Sequence, residues 1–389
     1  MITASFDLSN MFFRSMFIVG GYGDKGYSYD HQFELDQLMR KIATDIAFTI
    51  RQLDPAKVVF TLDSGSWRKK IEIEENEGYK ANRDKKSSHI NWDNIYATMD
   101  EFSKIMEDQG FIVSKVNSAE ADDLMALWMD KITFQNNEHL ITISGDEDIR
   151  QLVKFWPYEP GKKVFSLVYN PFTYKRGLPK KLYAPEAFNQ WLKEDEGIND
   201  IFNTATDVDK DTFVKILTKD VEVEVVDGED IGLRKIFCGD DGDNIPAIYT
   251  WMSKTAKGDP IERRITKAKY AKIKETYNLK DHHDLFDHTE AIFADIAKIA
   301  KHDPPFDMAK RFHRQIKLVI LSKHVFPEQI VSDFEETADE MLKHDQPKVI
   351  GASVMTLLEG TRYVSDEARN HASESDIFKQ MDDIAKSLF

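Results

Sequence analysis

An α/β fold with a mostly parallel central sheet flanked by helices is predicted by three observations. Short apolar, β-branched runs recur at 2–7 (ITASFD), 57–63 (KVVFTLD), 111–116 (FIVSKV) and 139–144 (HLITIS). Stretches with apolar residues at three- and four-residue spacing lie between them. Each run ends in an acid or is followed shortly by one. Alternating strands and helices imply parallel strands joined by crossovers, with helices covering both faces.

The elements follow in order. The first run ends at Asp7. Residues 33–53 then carry Phe33, Leu35, Leu38, Ile42, Ile46, Ile50 and Leu53 on one helical face. The second run ends at Asp63, and residues 92–109 and 120–133 read as helices on either side of the third. The fourth run leads into SGDEDIRQL, with Asp146 and Asp148. VEVEVV (221–226) reads as a strand, and GEDIGLRKIFCGD (228–240) as a helix running into the acidic loop GDDGDN. Beyond about residue 250 the strand signal fades and helical patterns continue past Pro304-Pro305. There is no internal repeat and no low-complexity segment.

At 389 residues the chain can hold one large domain or two ordinary ones, and 41% apolar with 31% charged residues describes a soluble globular protein. No apolar run is long enough to span a membrane, and MITASFDLSNMFF lacks the basic start of a signal peptide. The single cysteine, Cys238, excludes an internal disulfide and a thiolate zinc site and fits a reducing compartment, so a cytoplasmic location is expected. The net charge of −16 argues against a nucleic-acid partner unless the acids collect around bound cations, which would reverse the local sign.

The distribution of the acids therefore matters. In NSAEADDLMALWMD (117–130), Glu120, Asp122 and Asp123 precede an apolar run. Taken alone, they read as acids favoured at a helix N-terminus, with Asn117 or Ser118 as the cap. The alternative is a metal site, and it needs acids from elsewhere. Ligands of open α/β sheets bind outside the carboxyl ends of the strands. Asp7, Asp63, Glu120 and Asp146 all fall at or beyond such ends, with Asp148, Asp240 and Asp243 as further candidates. So many carboxylates would repel one another unless multivalent cations held them. Hard oxygen donors without clustered Cys or His point to Mg²⁺, with Mn²⁺ as a substitute, and a cluster this large suits two ions.

EADDLMA, SGDEDIRQL and GDDGDNIPAI, with the early FDLSN and FTLD, resemble the 5′-nuclease (flap endonuclease) family of PIN-like fold over roughly residues 1–250. The T-even-phage type of ribonuclease H, which is also a flap endonuclease, is the most similar group. SGSWRKKIEIEENEGYKANRDKK (64–86) is similar to that group's helical arch, and LVILSKHVFPEQI (318–330), more weakly, to its C-terminal helices. The resemblance implies a first metal set of Asp7, Asp63, Glu120 and Asp122. It implies a second of Asp146, Asp148, Asp240 and Asp243, with Asp123 between them; Asp241 has no counterpart. It also implies that Lys80 and Arg83 contact the scissile phosphate.

The basic stretches read as follows. Residues 65–86 have a net charge of +2; Tyr79 and Arg83 stand four apart, with Lys80 beside them and Arg68 upstream. On a helix, Tyr79 would stack on a base while the cations meet phosphates. Residues 251–275 have a net charge of +5 against the acidic whole, and Lys254, Lys257, Arg263, Arg264 and Lys267 are expected to grip duplex phosphates. PAIYTWMSKTAKGDP replaces the Gly-x-Gly hairpin by which cellular members of the family bind duplex and K⁺. GKKVFSLVYNPFTYKRGLPKK (161–181) reads equally as a secondary contact or a soluble loop.

Other signals are set aside: DVDKDTFVKILT (207–218) lacks the Gly and Glu of a calcium loop, GGYGDKG (20–26) lacks a Gly-Lys-Ser continuation, and the adjacent histidines of DHHDLFDH (281–288) diverge. SDIFKQMDDIAKSLF (375–389) is an amphipathic tail that docks on its own chain or on a replication partner.

The expectation is a divalent-metal-dependent, structure-selective 5′ nuclease, acting as a 5′-3′ exonuclease, flap endonuclease and ribonuclease H in replication. The catalytic residues would be Lys80, Arg83, Asp123 and Asp146. Its partners would be DNA and RNA·DNA duplexes with 5′ single-stranded ends and replication proteins such as single-strand-binding protein or a sliding clamp. Residues 1–303 would form the catalytic domain, with the arch at about 64–92 and a duplex-binding part at about 236–280, and 304–389 a C-terminal helical region. The rival from another class is a non-catalytic nucleic-acid-binding protein whose acids hold metal for structure.

Overall fold

The computed structural model describes residues 2–21, 26–73, 78–82, 89–157, 163–172, 179–193, 220–255, 257–301, 307–343 and 358. Five strands form the parallel part of the central sheet: β1 (Ile2–Asp7), β2 (Lys57–Thr61), β3 (Ile112–Ser114), β4 (His139–Ile143) and β6 (Lys163–Asn170). Their order is β3-β2-β1-β4-β6. In register, Asp7 stands beside Thr61, Phe6 beside Ile143, and Thr61 beside Ser114, so the four site-facing strands end at one rim. Beyond β6 the sheet continues with β7 (Lys180–Ala184), antiparallel to it, and β8 (Val221–Val225), parallel to β7. The short β5 (Lys154–Pro157) pairs antiparallel with β6. Much of the basic 161–181 stretch is therefore sheet, not loop.

Strand residues alternate between two cores, which is why the runs look apolar throughout. On one face, Phe6, Val58, Phe60 and Ile141 pack with α1 (Leu8–Gly20), α2 (Gln32–Leu53) and α3 (Trp92–Asp108). Leu35, Leu38, Ile42, Ile46, Ile50 and Leu53 of α2 are buried as the spacing predicts, whereas Phe33 is exposed. On the other face, Val59, Leu140 and Val168 pack with α4 (Ala121–Met129). Every residue of α4 except Asp122 is buried, because a further helix covers it from outside, as described below.

A third core binds α6 (Gly228–Cys238), the hairpin β9 (Thr250–Lys254) and β10 (Pro260–Arg264), α7 (Lys267–Tyr277), α9 (Thr289–Ala300) and α10 (Met308–Val319). Two short helices complete the chain order, α5 (Glu186–Lys193) before β8 and α8 (Asp284–Asp287) before α9. The hairpin corrects the expectation that strands end near residue 250. Only Trp251 of β9 is buried, while Met252, Lys254, Glu262, Arg263 and Arg264 are exposed. A ribbon with so little apolar content gives no strand signal.

The helices beyond residue 304 share these cores. Phe312 and Ile316 of α10 enter the third, and Ile330, Phe334 and Ala338 of α11 (Glu328–Lys343) enter the second over α4. Trp128 meets Phe334 edge-on at 5.1 Å, and the ammonium of buried Lys131 lies 3.0 Å from Glu335 and 2.7 Å from Asp339. The amphipathic tail 375–389 and the rejected calcium-like stretch 207–218 lie outside the described residues.

Candidate metal centre

The rim begins at Asp7, where β1 ends and α1 starts. Its Oδ1 accepts from the Asn10 amide at 2.9 Å, capping α1. Its Oδ2 accepts from Ser144 Oγ at 2.9 Å, and Ser144 in turn accepts from the Asp146 amide at 3.1 Å. Asp63, two residues past β2, accepts from the Ala121 amide at 2.7 Å, while its own amide donates to Ser9 Oγ at 2.9 Å. The strand-end acids are thus tied to one another through backbone amides and two serine hydroxyls.

Their electrostatics mark them as one cluster. Burial, followed by the charges of Asp63 and Asp146, pushes the Asp7 carboxyl up to about 8. Burial, then Asp146 and Asp7, raises Asp122 well above the usual carboxylate range. Burial first, and then the charge of Glu120, raise Asp63 against the lowering effect of its bond from the Ala121 amide. Asp146 thus acts on Asp7 and Asp122, while the resemblance set it with the later acids, to which the Asp148 amide joins it. Anions destabilised in this way by burial and mutual repulsion are relieved by a divalent cation, so the donor set fits Mg²⁺ or Mn²⁺.

Asp148, Asp240 and Asp243 form a second set. One carboxylate oxygen from each lies within 4.8 Å of the others. Asp148 opens a single 3₁₀ turn (Asp148–Leu152) that packs against α6, and its amide donates to Asp146 Oδ1 at 2.9 Å, linking the two sets. Asp240 and Asp243 come from the loop after α6. Gly239 starts that loop at φ +74°, and a Cβ there would stand 2.5 Å from the Ala247 amide nitrogen, so glycine is required. The ammonium of Lys235 contacts both Asp148 and Asp240. Burial opposes charge on Asp240, but the Lys235 contact outweighs it and holds the carboxyl below its ordinary range.

Glu120 and Asp243 connect the sets. Tyr79 Oη reaches Glu120 Oε2 at 3.1 Å and Asp243 Oδ2 at 3.3 Å, and Lys80 Nζ pairs with Glu120 and lies 3.9 Å from Asp243. The Lys80 amide also donates to the Asp243 carbonyl at 2.9 Å, and Asn244 Nδ2 to the Gly78 carbonyl at 2.7 Å. These bonds fasten the described end of the arch to the acidic loop.

Three expectations change here. Tyr79 and Lys80 are not on a helix: Lys80 is at φ +57° in a turn, which breaks the four-residue face, and Arg83 lies outside the described residues. Tyr79 is buried with its hydroxyl between two carboxylates, so its ring does not face a base. Arg68, expected to contact nucleic acid, is 2% exposed. Its Nη1 lies 3.0 Å from Glu120 and 2.7 Å from Asp123. Asp123 is itself fully buried, accepting from Trp67 Nε1 and from the Glu120 amide, each at 3.1 Å. Its bonds run to Arg68, Trp67 and the Glu120 backbone, and its burial keeps it off the surface of the rim. The cap of α4 is Glu120 with Asp123, not Asn117 or Ser118.

Lys254, Lys257, Arg263, Arg264 and Lys267 are all exposed on the hairpin and the start of α7. Arg264 holds the Asp241 carboxylate with both nitrogens, at 2.7 and 3.0 Å, which joins the hairpin to the acidic loop. Sequence reasoning missed Ser9, Ser144 and Lys235. The only available signal was Lys235 standing five residues before Asp240.

Residues 6–167 match the 5′-3′ exonuclease N-terminal, resolvase-like domain. Two solved structures of one phage protein resemble the chain at TM-score 0.50, 14% identity and 88% of this chain. The T5 protein co-crystallised with metal ions is covered over 100% of its length. The bacteriophage T5 flap endonuclease, in a pseudo-enzyme–product complex with DNA and metal ions, is covered over 99%. At that identity the likeness is one of fold. A search of curated proteins by sequence finds no significant match.

Proposed function

We propose that this chain, a 5′ nuclease of PIN-like fold whose residues 6–167 are a 5′-3′ exonuclease N-terminal, resolvase-like domain, is a Mg²⁺-dependent, structure-selective phosphodiester hydrolase. It would cut near the 5′ end of one strand at duplex junctions. The observation that carries the proposal is the convergence of Asp7, Asp63 and Asp146 from three strand ends, and Asp122 from the first turn of α4, into one mutually repelling cluster beside Asp148, Asp240 and Asp243. The T5 relative in complex with DNA and metal ions supports DNA as substrate. Activity on RNA·DNA duplexes, removal of RNA primers and a place in replication, in the host cytoplasm for a phage-encoded enzyme, extend the reading.

Bound divalent ions would neutralise the phosphodiester and activate the attacking water. The chain's own residues do the rest. Asp7, Asp63, Asp122 and Asp146 would hold one ion, and Asp148, Asp240 and Asp243 the other, with Glu120 alongside. Lys80 places an ammonium at the junction of the two sets, where it would meet the scissile phosphate and stabilise charge developing there. Tyr79, Arg68 and Asp123 hold Glu120 in place from behind. The exposed cations of β9, β10 and α7 would grip duplex phosphates without reading sequence.

The test is digestion of a labelled 5′-flap substrate and a blunt duplex side by side, with and without Mg²⁺. Short products released from the flap's 5′ side, dependent on Mg²⁺ and lost in Asp146→Asn, are expected. Full cleavage by Asp146→Asn under saturating Mg²⁺ would contradict the reading. Binding without cleavage by the wild type would favour a non-catalytic role.

A further inference from the structure

Among the described residues, the second acid set has a lysine, Lys235, in direct contact with two of its carboxylates. Lys235 sits in the last turn of α6, where a cation is favoured, and its ammonium fills the position between Asp148 and Asp240. Both partners are held by rigid packing. Gly228 and Gly232 bring α6 directly against the 3₁₀ turn that carries Asp148. A Cβ on Gly228 would stand 2.6 Å from the Val153 carbonyl, and one on Gly232 2.9 Å from Gln151 Oε1. Gln151 is in turn fixed by donating to the Val319 carbonyl at 3.1 Å. The contact is thus set by the backbones of two packed elements, not by a free surface side chain. A divalent ion seated between Asp148 and Asp240 must displace the ammonium. An ion entering among Asp7, Asp63, Asp122 and Asp146 meets carboxylates that repel one another.

We propose that Lys235 is a tethered counter-cation that competes with the divalent ion of the second acid set, so that the two sets load in order, the strand-end set first. The inference rests on the nuclease reading only for the identity of the ions. Lys235 acts through the carboxylates it touches and is a positioning residue, not a catalytic one.

The test is a Mn²⁺ titration of the full chain, with free Mn²⁺ followed by electron paramagnetic resonance. Two variants remove the charge, Lys235→Met and Lys235→Gln, so that one can stand in if the other fails to fold; Lys235→Arg keeps it. The wild type should bind in a tight and a weak phase. Lys235→Met or Lys235→Gln should tighten the weak phase roughly tenfold or more, because a unit charge in contact with the ligands is gone. The tight phase should be unchanged, and Lys235→Arg should match the wild type. A single phase in the wild type, or a weak phase left unchanged or weakened by loss of the charge, would overturn the inference. No Mn²⁺ binding by the wild type would overturn the nuclease reading itself.

Discussion

The guanidinium of Arg68 lies 2.7 Å from the Asp123 carboxylate, and both side chains are sealed from solvent beneath the acidic rim. The same nitrogen reaches Glu120. Stacked on Trp67, with its carbon 4.8 Å from the ring centroid, Arg68 neutralises two buried carboxylates at once. Removing one partner of a buried pair leaves an uncompensated charge. Arg68→Ala should therefore lower stability by about 3–5 kcal/mol. Arg68→Lys, a point charge without the fork, should lie between the two. Urea unfolding measures this, and a change below about 1 kcal/mol, typical of an exposed pair, would contradict the buried arrangement.

Lys80 stands at the junction of the two acid sets. Lys80→Ala should reduce kcat on a 5′-flap substrate by about 10²–10³-fold, the loss expected for one donor aimed at developing charge. KM should change little if, as proposed, the exposed cations of β9, β10 and α7 carry duplex binding. Single-turnover and steady-state assays together separate the two effects. A rise in KM with kcat preserved would place Lys80 in uniform binding.

The cluster around Asp7 makes stability depend on pH in a stated direction. Its carboxyl is pushed from 3.8 up to about 8 by burial and by Asp63 and Asp146. Between those values the unfolded chain has released a proton that the folded one retains. The stability contribution is therefore present below the lower value and is lost as pH rises toward the upper one. Metal-free protein should melt at progressively lower temperature across that range. Saturating Mg²⁺ should raise the melting temperature most at the alkaline end. A metal-free profile that rises with pH, or a Mg²⁺ effect confined to the acid end, would contradict it.

α11 covers the buried helix α4 through Phe334 on Trp128. Phe334→Ala should cost about 3–5 kcal/mol, the range for removing a buried aromatic. Thermal unfolding should remain a single transition, because helices before and after residue 304 share cores. Separate melting of a C-terminal unit would show that α11 is peripheral.

The sheet and most of the acids were legible because each strand is an apolar run that ends at an acid, and parallel order brings such ends to one rim. Asp7, Asp63 and Asp146 follow from that rule alone. Arg68 was misread because its partners, Glu120 and Asp123, are remote in sequence, and nothing local distinguishes a buried arginine from a phosphate-binding one. Tyr79 and Arg83 have helical spacing, but Lys80 takes the left-handed conformation and its amide donates to the acidic loop's Asp243 carbonyl. The β9–β10 hairpin was hidden because Trp251 is the only buried residue on either of its strands. Lys235 carries no local mark in the sequence, since its contacts arise only where α6 meets the turn at Asp148.

The central claim is that acids from distant parts of the chain form two adjoining cation sites. Anomalous difference density from Mn²⁺-soaked crystals tests it most directly. Two neighbouring peaks are predicted, one among Asp7, Asp63, Asp122 and Asp146 and one among Asp148, Asp240 and Asp243. A pocket without anomalous density, or manganese bound only elsewhere on the surface, would contradict it.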